Sequence, residues 1–112
     1  MKKECREYAQ RIAEEIEAIY NGTTELENYD GEKMSLYDYV VDALDYSAIV
    51  SSTKTVESIR LYVTLGGPTC YVDTELHAVV CAWGGDREEY PLDWDVCNEL
   101  ESIIAEYMEM ER

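Results

Sequence analysis

The spacing of apolar residues changes twice along this chain, and these changes limit the folds that the chain can form. Over residues 4–21 apolar side chains recur every three or four positions, as in an amphipathic helix. Over residues 59–65 they alternate with polar ones, as in a half-buried strand. Helical spacing returns after Asp93. A chain of 112 residues can bury one modest core, so the sequence predicts a single α+β domain, residues 1–112.

Two helices are predicted ahead of the alternating region. The first covers residues 4–21 and ends at Gly22, because glycine takes the left-handed cap conformation without steric cost. The second covers about residues 35–47, where Ser35 and Asp38 resemble a capping box. The polar segment between the two helices is predicted to be a loop or a helical turn.

The alternating region predicts a meander of three antiparallel strands with a short fourth segment at its edge. Two-residue turns at Gly66-Gly67 and Glu75-Leu76 would make one sheet face entirely apolar. The facing pairs on that side are then Val63 with Cys70, Leu61 with Val72, Cys70 with Cys81, and Val72 with Val79. The edge segment would place Tyr90 near Cys81 and Leu92 near Val79, and Pro91 suits an edge strand.

A last helix is predicted from Asp93, whose carboxylate can cap it, to about Met110. All the helices are expected to pack on one face of a three- to four-stranded sheet. The expected core is formed by Leu61, Val63, Cys70, Val72, Val79, Cys81 and Trp83 against Ile12, Ile16, Leu44, Leu100 and Ile104.

The cysteines and the absence of long apolar runs bear on the compartment. Cys5, Cys70, Cys81 and Cys97 form no C-x-x-C pair and accompany a single histidine, which disfavours a zinc site. Neither an export segment nor an apolar run of roughly 20 residues is visible, so a cytoplasmic protein without a membrane span is predicted. Cys70 and Cys81 face one another and could form a disulfide, but two reduced, buried thiols are the favoured interpretation.

Charge is the strongest compositional signal. The chain has 25 acidic and 9 basic residues, a formal net charge of −16. Direct binding to nucleic acid or to an anionic membrane needs a basic surface, so neither is expected. Solubility alone calls for a net charge of up to about 8 in a small domain. Rows of carboxylates can instead imitate nucleic-acid phosphates. The acidity could therefore serve either nucleic-acid mimicry or solubility alone.

Three acidic surfaces could serve such mimicry. One is formed by Glu14, Glu15 and Glu17 on the first helix. Another is formed by Asp38, Asp42 and Asp45 on one face of the second helix, beside Tyr37 and Tyr46. The last helix carries Glu99, Glu101, Glu106 and Glu109. Short aspartates hold their charge more rigidly than glutamates, so the second helix is predicted to contribute more per residue to partner binding.

A further candidate surface lies on the sheet face away from the core. The predicted register places Tyr62, Tyr71 and Val80 side by side there. Tyrosine rows make good protein-binding surfaces because the ring buries area while the hydroxyl tolerates water. Cross-strand packing that only stabilises the sheet, or cover from the loop at residues 23–33, is the alternative.

No motif in the chain organises a catalytic or cofactor site. The glycine pairs lack the lysine and helix of a phosphate-binding loop, and His77 is expected to be a packed or half-exposed side chain. With so many acids, a pair of carboxylates carries almost no specificity. A non-enzymatic protein with neither a cofactor nor a metal is therefore predicted, and an enzyme using carboxylates is the less favoured alternative.

Two stretches in the centre of the chain carry a resemblance to a known population of proteins. They are Leu65-Gly66-Gly67-Pro68-Thr69-Cys70-Tyr71-Val72-Asp73 and Ala82-Trp83-Gly84-Gly85-Asp86. In these stretches, in size and in acidity, the chain resembles short acidic proteins of phages and conjugative elements in Gram-positive gut bacteria. That population includes anti-CRISPR and antirestriction proteins, so the resemblance implies inhibition of a host nuclease by direct binding.

Together these features predict a non-enzymatic inhibitor that binds the basic nucleic-acid groove of a CRISPR effector or a restriction enzyme. Acidic clusters would speed association, and exposed tyrosines would anchor the complex. The alternative is an interaction module that forms homodimers or docks onto another protein through Tyr62, Tyr71 and Val80, with its charge serving only solubility.

Overall fold

The fold of the chain is known from a computed structural model, which describes residues 2–43, 45–53 and 55–110. The described residues form an α+β fold of three helices and an antiparallel sheet of five strands. In chain order the elements are α1 (Lys2–Asn21), α2 (Leu36–Asp42), β1 (Asp45–Val50), β2 (Val56–Thr64), β3 (Thr69–Asp73), β4 (Ala78–Trp83), β5 (Asp86–Pro91) and α3 (Trp94–Met110).

The first and last helices confirm the sequence prediction. Apolar residues of α1 at helical spacing, among them Ile12 and Ile16, are buried, and the helix gives way to Gly22 with a φ of 75°. The Oδ1 atom of Asp93 accepts a hydrogen bond of 2.8 Å from the amide of Asp95, so Asp93 caps α3 as expected. Both helices therefore follow from their periodicity and their caps.

The second helix is shorter than predicted. Ser35 and Asp38 form the expected capping box, but α2 ends at Asp42 and the chain then enters β1. Tyr46 of this strand pairs with Leu61 of β2. Acidic residues oppose the helix dipole at a C-terminus, and no basic residue lies in the last turn of α2 to offset Asp42. The additional strand raises the count from the predicted three or four to five.

The sheet follows the chain order β1-β2-β3-β4-β5, and its centre has the predicted register. Leu61 faces Val72, Val72 faces Val79, and Cys70 faces Cys81. Three predicted pairings were wrong. The register shifts between Tyr62 and Thr64, so Thr64 rather than Val63 faces Cys70. At the edge Tyr90 faces Val79 rather than Cys81, and Leu92 instead donates its amide to the carbonyl of His77.

A disulfide joins Cys70 and Cys81, contrary to the favoured interpretation of two reduced thiols. The two residues are direct cross-strand partners with Cα atoms 4.1 Å apart and both side chains fully buried. The predicted register placed the two residues opposite each other. No other feature of the sequence indicated that they form a disulfide. Cys5 and Cys97 are free and buried, as expected.

One core cluster joins the inner face of the sheet to the helices. Helix α1 lies on β4 and β5, and α3 contacts β2. Most of the predicted core is buried there, but Val63 is only partly buried and Trp83 is exposed, next to the turn at Gly67. Leu44, also predicted in the core, lies outside the described residues. The buried members are Ile12, Ile16, Leu61, Cys70, Val72, Val79, Cys81, Leu100 and Ile104.

Candidate functional site

A groove of about 440 Å³ lies where the C-terminal part of α1, the start of α2 and the middle of α3 meet. Its floor is apolar, formed by Ile19, Leu36 and Ile103, all of them buried. Its rim carries exposed tyrosines and glutamates. We call this site the helical groove, and its lining residues are Ile19, Tyr20, Ser35, Leu36, Tyr37, Glu99, Ile103 and Glu106.

The spacing of α3 explains why its two rim glutamates share this groove. Glu99, Ile103 and Glu106 lie four and three residues apart, so they fall on one side of the helix. Ile103 packs inward and holds the helix against its neighbours, while the two carboxylates flank it and reach solvent. The fold thus brings together three residues predicted as partner-binding, namely Tyr37, Glu99 and Glu106.

The charge of the helical groove is uncompensated. None of its described lining residues is basic, and neither α2 nor α3 contains a lysine or an arginine. The bases of α1 lie before residue 12, in the N-terminal half of that helix. The guanidinium of Arg6 lies 5.4 Å from the Tyr90 ring centroid and that of Arg11 lies 4.9 Å from the Tyr8 ring centroid. The groove therefore combines negative charge with aromatic surface, which suits a cationic side chain.

The predicted row of Asp38, Asp42 and Asp45 does not exist, because α2 ends before its third member. Asp38 Oδ2 accepts hydrogen bonds from the Ser35 amide at 3.0 Å and from the Asn28 side chain at 3.2 Å. These bonds, the one from the Ser35 backbone first, lower the pKa of Asp38. Asp45 lies in β1 opposite Tyr62. Asp38 thus serves the helix cap and Asp45 projects from the sheet.

Tyr46 and Glu101 also lie away from the helical groove. Tyr46 is on the inner side of β1, partly buried in the core, with its ring edge against Tyr107 at a centroid distance of 6.0 Å. Glu101 is half-buried on another side of α3. Its charge, and that of Asp93, add to the effect of burial in raising the pKa of Cys97 to about 12.

The outer sheet face, opposite the helices, carries the predicted tyrosine pair. Tyr62 and Tyr71 are cross-strand partners with ring centroids 5.4 Å apart. Val80 pairs with Tyr71 as expected but is fully buried (0% exposed), and Tyr62 and Tyr71 are half-buried, so the row is less exposed than predicted. The strand partners of Val80 are Tyr71 on β3 and Glu89 on β5.

Arginines compensate the acids of this outer face. Arg60 Nε lies 3.3 Å from Asp73 Oδ2, and Arg87 donates to Glu89 Oε2 at 2.6 Å. These are the only ion pairs among the side chains that the structure describes, those of residues 4–43, 45–53 and 55–109. The guanidinium of Arg60 lies 5.1 Å from the Tyr71 ring centroid, a cation–π contact. We use the name outer sheet face for Arg60, Tyr62, Tyr71, Asp73, Val80, Arg87 and Glu89.

Sequence reasoning missed several of these features. Tyr20 on the groove rim lies 15 or more positions from the lining residues of the other elements, and only the packing of the helices joins them. Arg60 and Asp73 are cross-strand partners, and their ion pair was not predicted. His77 is half-buried and stacks on Trp94 at 3.8 Å between centroids, in keeping with its expected packed role.

Other kinds of site find little support in the part of the chain that the structure describes. It contains no group of three or more histidine, cysteine, aspartate or glutamate side chains arranged to hold a metal ion. Its helices are too short or too polar for any of them to cross a bilayer. Comparisons of the chain with protein-family models, curated proteins and solved structures give no match.

Proposed function

We propose that this protein is a non-enzymatic inhibitor that binds the basic nucleic-acid groove of a host nuclease, of the CRISPR effector or restriction enzyme kind. The observation that carries this proposal is the helical groove, in which Tyr20 and Tyr37 lie near Glu99 and Glu106 with no base among the described lining residues. A guanidinium entering the groove would meet carboxylates at the rim and aromatic faces at the side.

The rest of the molecule supports the same partner chemistry. A net charge of −16 attracts a cationic surface over long distances and increases the rate of encounter. The apolar floor of Ile19, Leu36 and Ile103 is held by the core, so the rim side chains are displayed from a fixed base. Preorganised contacts lose less entropy on binding.

Inhibition of DNA cleavage tests this proposal. Purified RNA-guided and restriction nucleases would cleave plasmid DNA with and without excess protein, at low and at high salt. We expect cleavage to slow at low salt, and the effect to weaken as salt screens the charges. The double variant Glu99→Lys/Glu106→Lys should inhibit about tenfold less, a loss of ~1.4 kcal/mol.

The matched control is Glu25→Lys/Glu32→Lys, which changes the net charge equally at exposed positions of the loop before α2. It should retain most of the inhibition. Unchanged cleavage with excess protein at low salt would contradict the proposal. Equal losses in the two double variants would mean that the charge acts as a diffuse field rather than through the helical groove.

The outer sheet face favours a second candidate function, self-association of the protein. Each arginine there has a carboxylate partner, so two copies that both carry −16 would meet with least repulsion at this face. The Tyr62–Tyr71 pair would supply the apolar contact area. The two candidates use opposite sides of the molecule and can be separated.

Light scattering at increasing protein concentration tests self-association. A dimer that Tyr71→Asp disrupts would support the outer sheet face as the interface. Tyr29→Asp, at a tyrosine that is 94% exposed in a loop, is the matched control and should leave the mass unchanged. A monomeric mass at all concentrations, or a dimer that survives both Tyr71→Asp and Arg87→Glu with the fold intact, would rule this interface out.

A further inference from the structure

A second pocket, of about 300 Å³, lies on the other side of α2 from the helical groove. Its walls are apolar and come from the loop before α2, the end of α2 and β2, through Leu26, Met34, Ala43 and Val63. The carboxylates of Glu15 and Asp42 complete the lining. We call it the α1–α2 pocket. Its volume is at the small end of the range for ligand sites.

The two carboxylates of this pocket are unpaired within the described part of the chain. Neither Glu15 nor Asp42 takes part in the ion pairs found there. Lys33, which lies next to the lining residue Met34, donates its Nζ to the carbonyl of Gly22 at 2.7 Å instead. The negative charge of the pocket is therefore not neutralised by the base nearest to it in sequence.

Asp42 has no evident role in holding the fold. It is the last residue of α2, where an acidic side chain opposes the helix dipole. Leu26 is 41% exposed, so part of its side chain is open to solvent in the free protein. Asp42 is exposed as well, so both residues are accessible to a molecule that enters the pocket.

Tyr39 also lines the pocket. Burial first, and then the carboxylate of Glu15, raise the pKa of its hydroxyl. A tyrosine hydroxyl is neutral at physiological pH, so Tyr39 adds no charge to the pocket. The negative charge that an entering cation meets is therefore that of Glu15 and Asp42.

We infer that the α1–α2 pocket binds a small organic cation with an aliphatic body, such as an alkylammonium ion. The aliphatic carbons pack against Leu26, Met34 and Val63, and the cationic nitrogen lies against Glu15 and Asp42. A neutral alkyl compound leaves the carboxylates without a partner, and an inorganic cation leaves the apolar wall uncovered. This site is separate from the helical groove and goes beyond the proposed inhibition.

A titration followed by amide chemical shifts tests this inference, with n-hexylammonium as the probe. We expect saturable shifts at residues around the pocket, such as Leu26, Met34 and Ala43. Hexanol, with the same apolar body, and the ammonium ion, with the charge alone, should each bind at least tenfold more weakly. Equal affinity for hexanol would reduce the site to an apolar cavity, and absence of saturable shifts would overturn the inference.

Variants separate the contribution of the two carboxylates from that of the apolar wall. Glu15→Gln/Asp42→Asn should weaken n-hexylammonium binding at least tenfold, while Glu7→Gln/Glu109→Gln, at exposed acids outside the pocket, should leave it unchanged. Leu26→Ala should weaken binding severalfold without altering the charge. Thermal melts of each variant would verify the fold. Binding that survives the loss of both pocket carboxylates would contradict the inference.

The same titration distinguishes a free amine from a lysine side chain as the natural occupant. Nα-acetyl-lysine amide carries an alkylammonium group on a capped backbone. Binding of this compound at least as tight as that of n-hexylammonium would support the same chemistry and assign it to a protein side chain. Binding of n-hexylammonium alone would support a small-molecule amine.

Discussion

The helical groove and the outer sheet face differ in whether their carboxylates have basic partners. In the groove, Glu99 and Glu106 stand beside tyrosines without any base among the described lining residues. On the sheet, Asp73 and Glu89 each pair with an arginine. The carboxylates of the outer sheet face thus have arginine partners, although Glu89 is exposed, whereas those of the groove remain available to a partner. Total acidity therefore says less about function than the distribution of the bases does.

The largest expected effect contrasts an acid of the outer sheet face with one of the groove. The Asp73 side chain is 7% exposed, pairs with Arg60, and accepts hydrogen bonds from the amides of Glu75 and Leu76. Asp73→Ala should lower the free energy of unfolding by ~2–3 kcal/mol because these donors lose their acceptor. Glu106→Ala should change it by less than ~0.5 kcal/mol. Urea unfolding of both variants measures the difference. Similar losses of unfolding free energy would contradict the distinction between a structural acid and a groove acid.

The buried thiol of Cys97, in α3, provides a pH-dependent test. The pKa of Cys97 is raised to about 12 in the folded protein, from an ordinary value of 9.0, by burial and then by Glu101 and Asp93. Above pH 9.0 the unfolded chain releases this proton while the folded one keeps it, so the thiol lowers stability as pH rises toward about 12. The loss is about 1.4 kcal/mol for each pH unit.

Unfolding measured across this pH range should show a smaller loss in Cys97→Ala than in the unmodified protein. Glu101→Gln should lower the pKa of the thiol slightly and so reduce the loss, because one of the neighbouring charges is gone. Reaction of the native thiol with a disulfide reagent at mildly alkaline pH should be slow for the same reason. Rapid reaction of Cys97 in the folded protein would contradict the assignment.

A smaller contrast lies within α2, between two acids that the sequence placed in one row. Asp38 completes the capping box and Asp42 ends the helix. Asp38→Ala should cost ~1 kcal/mol of stability. Asp42→Ala should be neutral or stabilising by about 0.3 kcal/mol, because it removes an acid from the helix C-terminus. Thermal melts of both variants check this. A larger loss of stability from Asp42→Ala than from Asp38→Ala would show that the Asp42 carboxylate has a structural partner.

The sequence predicted the features that depend on local pattern. Helical and alternating periods located α1, α3 and the central strands, and the all-apolar face established the register that pairs Cys70 with Cys81. The failures depend on tertiary contacts. The second helix was predicted to extend to about residue 47, but residues 45–50 pair with β2 and form a strand. The register shift near Val63 could not be predicted either. Glycine pairs mark the turns in the sequence, but no residue marks this shift.

The candidate site was predicted less well than the fold. Tyr37, Glu99 and Glu106 lie together in the helical groove, but Tyr20 completes it only because α1 packs beside α2. Asp38 was predicted to bind a partner because of its charge. Its carboxylate instead accepts hydrogen bonds from Ser35 and Asn28 at the cap of α2. A charge pattern read from sequence cannot separate an acid that accepts hydrogen bonds from one that is free.

Mapping a cationic probe on the protein tests the central claim that the helical groove, rather than the total charge, forms the binding site. A hexa-arginine peptide would be titrated at moderate salt while backbone amide shifts are followed. We predict saturable shifts concentrated at Tyr20, Tyr37, Glu99, Ile103 and Glu106, which Glu99→Lys/Glu106→Lys abolishes and Glu25→Lys/Glu32→Lys leaves in place. Shifts of equal size at all exposed acids, or shifts centred on Tyr62 and Tyr71, would contradict the account.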